Sequence, residues 1–386
     1  MRVRSPRVTF SRREVLRLGG AAAVATLAGA CASPAASSTA TAAAASRPRR
    51  LAPVDVDPQR IIRRAVGLRP YRPSGFVVRA ESLGDKLLVH NYGHGGAGVT
   101  LSWGTAELAA NLIRDAGRAG STVSAAVIGC GAVGLATARV LQRRGLGVTI
   151  YAREIPPGTT SSIAGASWYP AYVAERDRRT PEWDAQFALA ARSAHRAFQD
   201  LVGDDYGVRW REEYFVTDDP ERELGDWGLP DLFPQRRLLS AAESPFAARH
   251  VTVDNLMFIE PPVYLRMLIR DFELAGGRIV VRAFAGPAEL SLLPDPVVVN
   301  CTGLGARELF GDRELTPIKG QLTVLLPQLE VDYAVLTSDL YMFPRRDGIL
   351  LGGTHERGVE TLEPNLEAEQ RILSGHRELF GRMRPA

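Results

Sequence analysis

Cysteine is scarce in this chain, with three in 386 residues, at positions 31, 130 and 301. Thiols so few and so spread out imply no disulfide framework, and no metal centre is expected. Surplus charge is scarce as well. Lys and Arg number 47 against 43 Asp and Glu, and many of the basic residues crowd the first seventy positions. Without a basic stripe on a folded face, nucleic-acid binding is a poor reading. Nor does the N-terminal apolar run, Leu18 to Ala30, reach the length that comfortably spans a bilayer. What remains is globular by composition: 45% of residues are hydrophobic, enough to bury two lobes or one large domain.

The first residues read as an address rather than as fold. Ser11-Arg12-Arg13-Glu14-Val15-Leu16 precedes the apolar run, and the small residues Ala28-Gly29-Ala30 stand before Cys31. This is the pattern of a twin-arginine export signal over residues 1–31, which implies a twin-arginine translocase as partner and an extracytoplasmic or periplasmic location. Cys31 leaves a second reading open, a lipid anchor after processing. Residues 32–57 begin as an Ala/Ser/Thr/Pro tract too poor in large apolar side chains to pack, and read as a flexible linker.

Chemistry enters at Ser124–Ile128, a strand pattern that runs into Gly129-Cys130-Gly131-Ala132-Val133-Gly134, a helical stretch to Arg144 and a second strand, Gly147–Tyr151. The first glycine permits a tight turn, the second lets backbone approach a pyrophosphate, and the third lets helix and strand pack closely at an anion-favouring helix N-terminus. Glu154 follows Gly134 by twenty residues, where an acidic group holds a ribose; Arg153 beside it leaves that role open between the two. A later helix, Val263–Ala275, a strand from Gly277 to Phe284, and Pro296–Asn300 leading into Thr302-Gly303 continue the pattern. Trp183–Leu201 reads as helix. Runs near Tyr214–Asp218, Gln321–Leu326 and Tyr341–Gly353 read as antiparallel strands, with Arg345-Arg346-Asp347-Gly348 a solvated hairpin turn.

From Val127 onward these strings resemble the D-amino-acid oxidase family. The resemblance rests on Tyr151–Glu154, Thr159–Ala166, Trp168-Tyr169-Pro170, Val299–Gly303, Gly320-Gln321, Tyr341–Pro344 and Leu350–Gly353. Two more family-like strings, Gly67–Pro73 and His90–Thr100, stand before the glycine motif, whereas in the family they come last. A circular permutation accounts for this order, with the old C-terminal segment joined through Ala116–Gly120 to the old first strand. The resemblance implies an α/β fold: a Rossmann-like FAD-binding domain (77–170 and 256–317) and an α+β substrate domain with an antiparallel sheet (58–76, 171–255 and 318–386).

It also implies roles. Arg69 matches the arginine that grips the substrate carboxylate through two parallel hydrogen bonds. Tyr341 matches a tyrosine whose hydroxyl touches the same carboxylate, with the Gly96 backbone near the substrate amine. Ser167, Tyr169 and Phe343 are expected to line the substrate pocket. For FAD, the expected contacts are Gly129, Gly131, Ala132, Val133 and Gly134; Arg153 or Glu154; Thr159, Thr160, Ser161, Gly165 and Ala166; Phe284, Thr302 and Gly303; and Gly95, Gly96, Ala97, Gly98, Val99 and Thr100 at the start of a helix expected over Leu101–Ala116. The family's lid tyrosine is missing, with Thr337 in its place. The implied reaction moves the α-hydrogen of a D-amino acid to flavin N5 as hydride, gives a 2-oxo acid and ammonia after hydrolysis, and uses molecular oxygen to yield hydrogen peroxide. Glycine, N-methyl amino acids or D-aspartate are alternative substrates, and an exported binding protein without turnover is an alternative of another class. His90 and His94 read as loop-shaping residues.

Overall fold

The computed structural model describes residues 50–384 except Ala119, Ser121, Ala166 and Glu223. The expected export signal, the linker through residue 49, Cys31 and the flavin-loop Ala166 lie outside the described residues. Two sheets organise the rest. The first has six strands in the spatial order Val77–Leu83, Lys86–Tyr92, Val297–Asn300, Ser124–Ile128, Gly147–Ala152 and Arg278–Val281. Only the opening hairpin is antiparallel, and every later pairing is parallel. Val297–Asn300 is buried throughout, as a strand covered on both faces must be, which explains its unbroken valines. On one face Val127, Val297 and Val299 join a core with the helices Gly98–Asp115 and Ala132–Arg143; on the other, Ala126, Ile128 and Val298 meet Leu290 and Leu293.

The second sheet has nine strands and is mostly antiparallel. Its order is Ile61–Tyr71, Thr316–Leu325, Gly348–Gly352, Tyr341–Arg345, Ala334–Leu336, Val208–Thr217, His250–Ile259 and Arg237–Leu238, with Glu356–Arg357 also on Thr316–Leu325. Ala334–Leu336 runs parallel to Val208–Thr217. A parallel nucleotide-type sheet under helices, set with a large antiparallel sheet, is the α/β class expected from the sequence.

Several local expectations shift. The helix expected from Leu101 begins at Gly98, because the 3₁₀ turn Gly95–Ala97 feeds directly into it. It packs along Ala132–Arg143 and on the hairpin Val77–Tyr92. The helix Pro181–Gln199, grouped by sequence with the substrate domain, also packs along Gly98–Asp115. The strand expected to reach Phe284 ends at Val281. Arg345, expected in solvent, is 6% exposed. Its guanidinium is neutralised by Asp347 at 2.5 Å and also donates to the Ala164 carbonyl at 3.3 Å.

Candidate active site

At the carboxyl end of Ser124–Ile128 the chain turns through Gly129, whose φ of +116° and close approach to the Cys301 carbonyl admit no side chain. The helix beginning at Ala132 has no side-chain cap from its N-cap residue, Gly131. Its first amide, on Ala132, instead donates to the Ser161 hydroxyl oxygen at 3.0 Å, so the Thr159–Ala164 loop lies against the glycine turn. That helix start, with Val133 and Gly134 in its first turn, offers backbone N–H groups and positive dipole to an anion. Arg153 and Glu154 follow the next strand as an exposed ion pair, 3.6 Å apart with side chains 77% and 56% exposed, so a ribose could reach either. Thr159 Oγ1 lies 3.1 Å from Ser162 Oγ, and Thr160 opens the 3₁₀ turn that carries Ser161. Asn300 Oδ1 accepts from the Thr302 amide at 3.1 Å and hydroxyl at 2.7 Å, fixing the turn before Gly303.

The segment Gly95–Thr100 lies against a second loop. The Gly96 amide donates to the Tyr172 carbonyl at 3.3 Å, and a side chain on Gly96 would stand 2.7 Å from the Ala171 carbonyl. Thr100 Oγ1 donates to the Tyr169 carbonyl at 3.2 Å, and Ala97, Val99 and Thr100 are buried. Gly98 begins the helix itself. The two loop-shaping histidines are engaged. Asn300 and Glu81 bracket His90, each at 3.0 Å. His94 contacts Thr105 Oγ1 at 3.0 Å, and burial pushes its ring down to about 3, so it stays neutral.

Arg69 is half-buried on Ile61–Tyr71 and reaches across Gly320, where a Cβ would come within 2.6 Å of its guanidinium. It donates to two neutral oxygens, Thr354 O and Tyr341 Oη, each at 3.3 Å, and forms no ion pair among the described residues. Tyr341 in turn lies across Gly352, and its ring stands 5.3 Å from that of Phe343. Phe343 meets the Thr159–Gly165 loop: a Cβ on Gly165 would be 2.7 Å from its ring. Pro70, next to Arg69, packs near Gly303. Arg69, Tyr341, Phe343, Gly165 and Gly303 therefore share one neighbourhood although 272 positions separate the first two.

Other expected contacts stand apart from this group or are committed elsewhere. Phe284 packs edge-on to Tyr151 at 5.8 Å under Arg282, in the small core with Leu290 and Leu293. Tyr169 donates its hydroxyl to the Gly225 carbonyl at 2.8 Å, and burial pushes that phenol up to about 12. Ser167 bridges Phe258 of the large sheet.

Two neighbours of Arg69 escaped the sequence reading. Tyr172 holds a left-handed backbone at φ 50° and lies 4.2 Å from the His355 ring. Burial, with the positive Arg69 nearby, pushes His355 down to about 4. The aromatic string ending at Tyr172 was the available signal for the first; His355 carried none.

The geometry has counterparts. A family model described as FAD dependent oxidoreductase, DAO, matches residues 4–112 and 124–386. The D-amino-acid oxidase of Rubrobacter xylanophilus is 34% identical over 273 residues, 68% of this chain and 78% of that protein. The D-amino-acid oxidase of Streptomyces coelicolor is also 34% identical, over 64% of this chain and 74% of its own. Human D-aspartate oxidase is 30% identical over 66% and 74%. Among solved structures, glycine oxidase from Geobacillus kaustophilus superposes with a TM-score of 0.51 at 16% identity, over 68% of this chain and 80% of that one. The glycine turn, the helix start at Ala132 and the hydroxyl-lined loop fit FAD, and the chain belongs to the DAO family of FAD-dependent oxidoreductases.

Proposed function

We propose that this enzyme oxidises D-amino acids to 2-oxo acids, releasing ammonia and passing electrons to molecular oxygen to give hydrogen peroxide. The observation that carries this reading is the Arg69–Tyr341 pair: a half-buried guanidinium with no carboxylate partner among the described residues, beside a phenolic hydroxyl and the hydroxyl-lined loop. A guanidinium so placed binds a planar carboxylate through two N–H groups. Two of the similar proteins are D-amino-acid oxidases, which supports the D configuration.

Bound FAD supplies the hydride acceptor for the α-hydrogen. The protein's part is to hold and orient. Arg69 and Tyr341 fix the carboxylate, and the Gly96 backbone faces the amine. The helix starting at Gly98 favours negative charge at its N-terminus. An amine that enters neutral needs no strong base, in keeping with the engaged, neutral His94. The purified holoenzyme should consume oxygen and form peroxide and ammonia with D- but not L-amino acids. Activity confined to glycine or N-methyl amino acids would move the substrate class, and amino-acid binding without turnover would favour a binding protein.

The circular permutation is part of the proposal. It is supported by Arg69 reaching Tyr341, by Arg377 donating to the Val56 carbonyl at 2.8 Å beside the helix Leu366–Gly381, and by a family match in two stretches that breaks between 112 and 124. A chain in which residues 50–117 are moved behind Met383 should fold and bind FAD. Failure of that chain to fold, with the native order folding normally, would count against it.

Export by the twin-arginine route is also proposed, on Ser11-Arg12-Arg13 and the apolar run. Changing Arg12 and Arg13 to Lys should retain active enzyme in the cytoplasm, and unimpaired export would sink the assignment. A lipid on Cys31 would show as detergent-dependent solubility that Cys31→Ala abolishes.

A further inference from the structure

Along the large sheet, side chains on one face form a row that begins at the active site. Val335 pairs with Met342 and Leu336 with Tyr341, which brings Ala334 level with Phe343; Ala334 pairs with Glu213, and Glu213 with Asp254. Directly paired residues point to the same side of a sheet. Phe343 shares its side with Tyr341, two residues away, and hence with Arg69. The row thus runs aromatic ring, methyl group, carboxyl, carboxyl. Across it, at the other end, sits the Arg69 guanidinium, which forms no ion pair among the described residues.

Glu213 is only 5% exposed. The groups that act on its charge are neutral or acidic, apart from one guanidinium; Arg211, two residues along the same strand, turns its own guanidinium over Phe258. The Ser167 hydroxyl stands close enough to act on its charge without the alignment of a hydrogen bond, and Tyr169 and Asp254 lie within electrostatic reach. Arg236 reaches this corner but is committed: its Nε donates to Asp254 Oδ2 at 3.0 Å, its Nη1 to the Leu224 carbonyl at 2.9 Å, and its face covers Phe233. Two buried carboxyls therefore share one guanidinium. Burial pushes the Glu213 carboxyl up to about 7, so a cation arriving beside it would draw it into the charged form. Both expected pocket residues of the 167–169 stretch lie within reach of this acid.

Two strand spacings, about 10 Å, separate the backbones of Phe343 and Glu213; between them Ala334 contributes a methyl group, and the Phe258 ring packs beside it, 5.9 Å from that of Phe343. A glutamate and a long side chain reaching toward each other cover that span.

We propose that Glu213 is a specificity-determining residue that selects D-amino acids with a cationic side chain, such as D-lysine, D-ornithine and D-arginine. The carboxylate sits on Arg69, the side chain passes over Ala334 and its charged end meets Glu213. This inference rests on the D-amino-acid reading above. An acidic side chain is the one this corner excludes, since two carboxyls would face a third.

The test compares D-lysine with D-norleucine, which has a side chain of similar length without the charge. With wild-type holoenzyme, kcat/KM for D-lysine should exceed that for D-norleucine by roughly 30-fold or more, the scale of a buried charge pair. In Glu213→Gln the ratio should fall to within about threefold of unity. FAD absorbance and turnover of D-norleucine report whether the variant is folded, and the wild-type comparison stands without it. A wild type that oxidises D-norleucine in preference to D-lysine, or a folded Glu213→Gln that keeps the wild-type ratio, overturns the assignment of Glu213 and leaves the D-amino-acid reading intact. Oxidation of neither compound, nor of any D-amino acid, overturns the broader reading and this one together.

Discussion

Replacing Arg69 by Ala should lower kcat/KM for D-amino acids by roughly 30-fold to several thousand-fold, mostly through KM, equivalent to about 2–5 kcal/mol of lost carboxylate binding. Arg69 is half-buried and forms no ion pair among the described residues, so its removal takes away the cation offered to substrate without orphaning a protein carboxylate. The Tyr341 hydroxyl and the Thr354 carbonyl lose a donor but neither is charged. FAD content and thermal stability should therefore change far less than kinetics. Arg69→Lys should recover only part of the loss, because a single ammonium cannot make two parallel hydrogen bonds to a planar carboxylate. Steady-state kinetics on flavin-matched samples checks this, and an Arg69→Ala enzyme with wild-type KM would place the carboxylate elsewhere.

Gly129→Ala is expected to abolish stable FAD binding. At φ +116° an alanine is strained, and its Cβ would run into the Cys301 carbonyl. Together these cost about 2–5 kcal/mol. Relaxing the turn would move the start of the helix Ala132–Arg143 away from the Ser161 loop, and those are the two elements that would hold the pyrophosphate. Gly147→Ala is the control. It stands at the start of the neighbouring strand with nothing within 4 Å of the added methyl, and should leave FAD binding near wild type. FAD titration of both apoproteins measures the contrast. Equal affinities would show that the glycine turn does not hold the cofactor.

The parts of this site that were legible in the sequence are those encoded locally. Gly129–Gly134 announces itself because strand, turn and helix follow one another within twenty residues, each with its own period. The sheet partners of that strand, Lys86–Tyr92 and Val297–Asn300, come from distant parts of the chain, and only the family-like strings brought them into view. Arg345 shows the opposite case. Arg-Arg-Asp-Gly is turn chemistry, and the structure does make a turn there, yet the Ala164 carbonyl that helps bury Arg345 is 181 residues away. Tyr169 is marked by its string, but the Gly225 carbonyl that accepts from its hydroxyl is a partner no periodicity reveals. Glu213 carries no signal of its own in the sequence; only the strand register places it in the row with Phe343.

The measurement that bears most directly on the account is the visible spectrum of the purified protein, followed under anaerobic conditions as D- and L-amino acids are added. Flavin absorbance should bleach on mixing with a D-amino acid, persist with its L-enantiomer, and return when air is admitted, with one equivalent of hydrogen peroxide formed. A protein that carries FAD but is reduced by no D-amino acid, or that stays colourless after reconstitution with FAD, would contradict it.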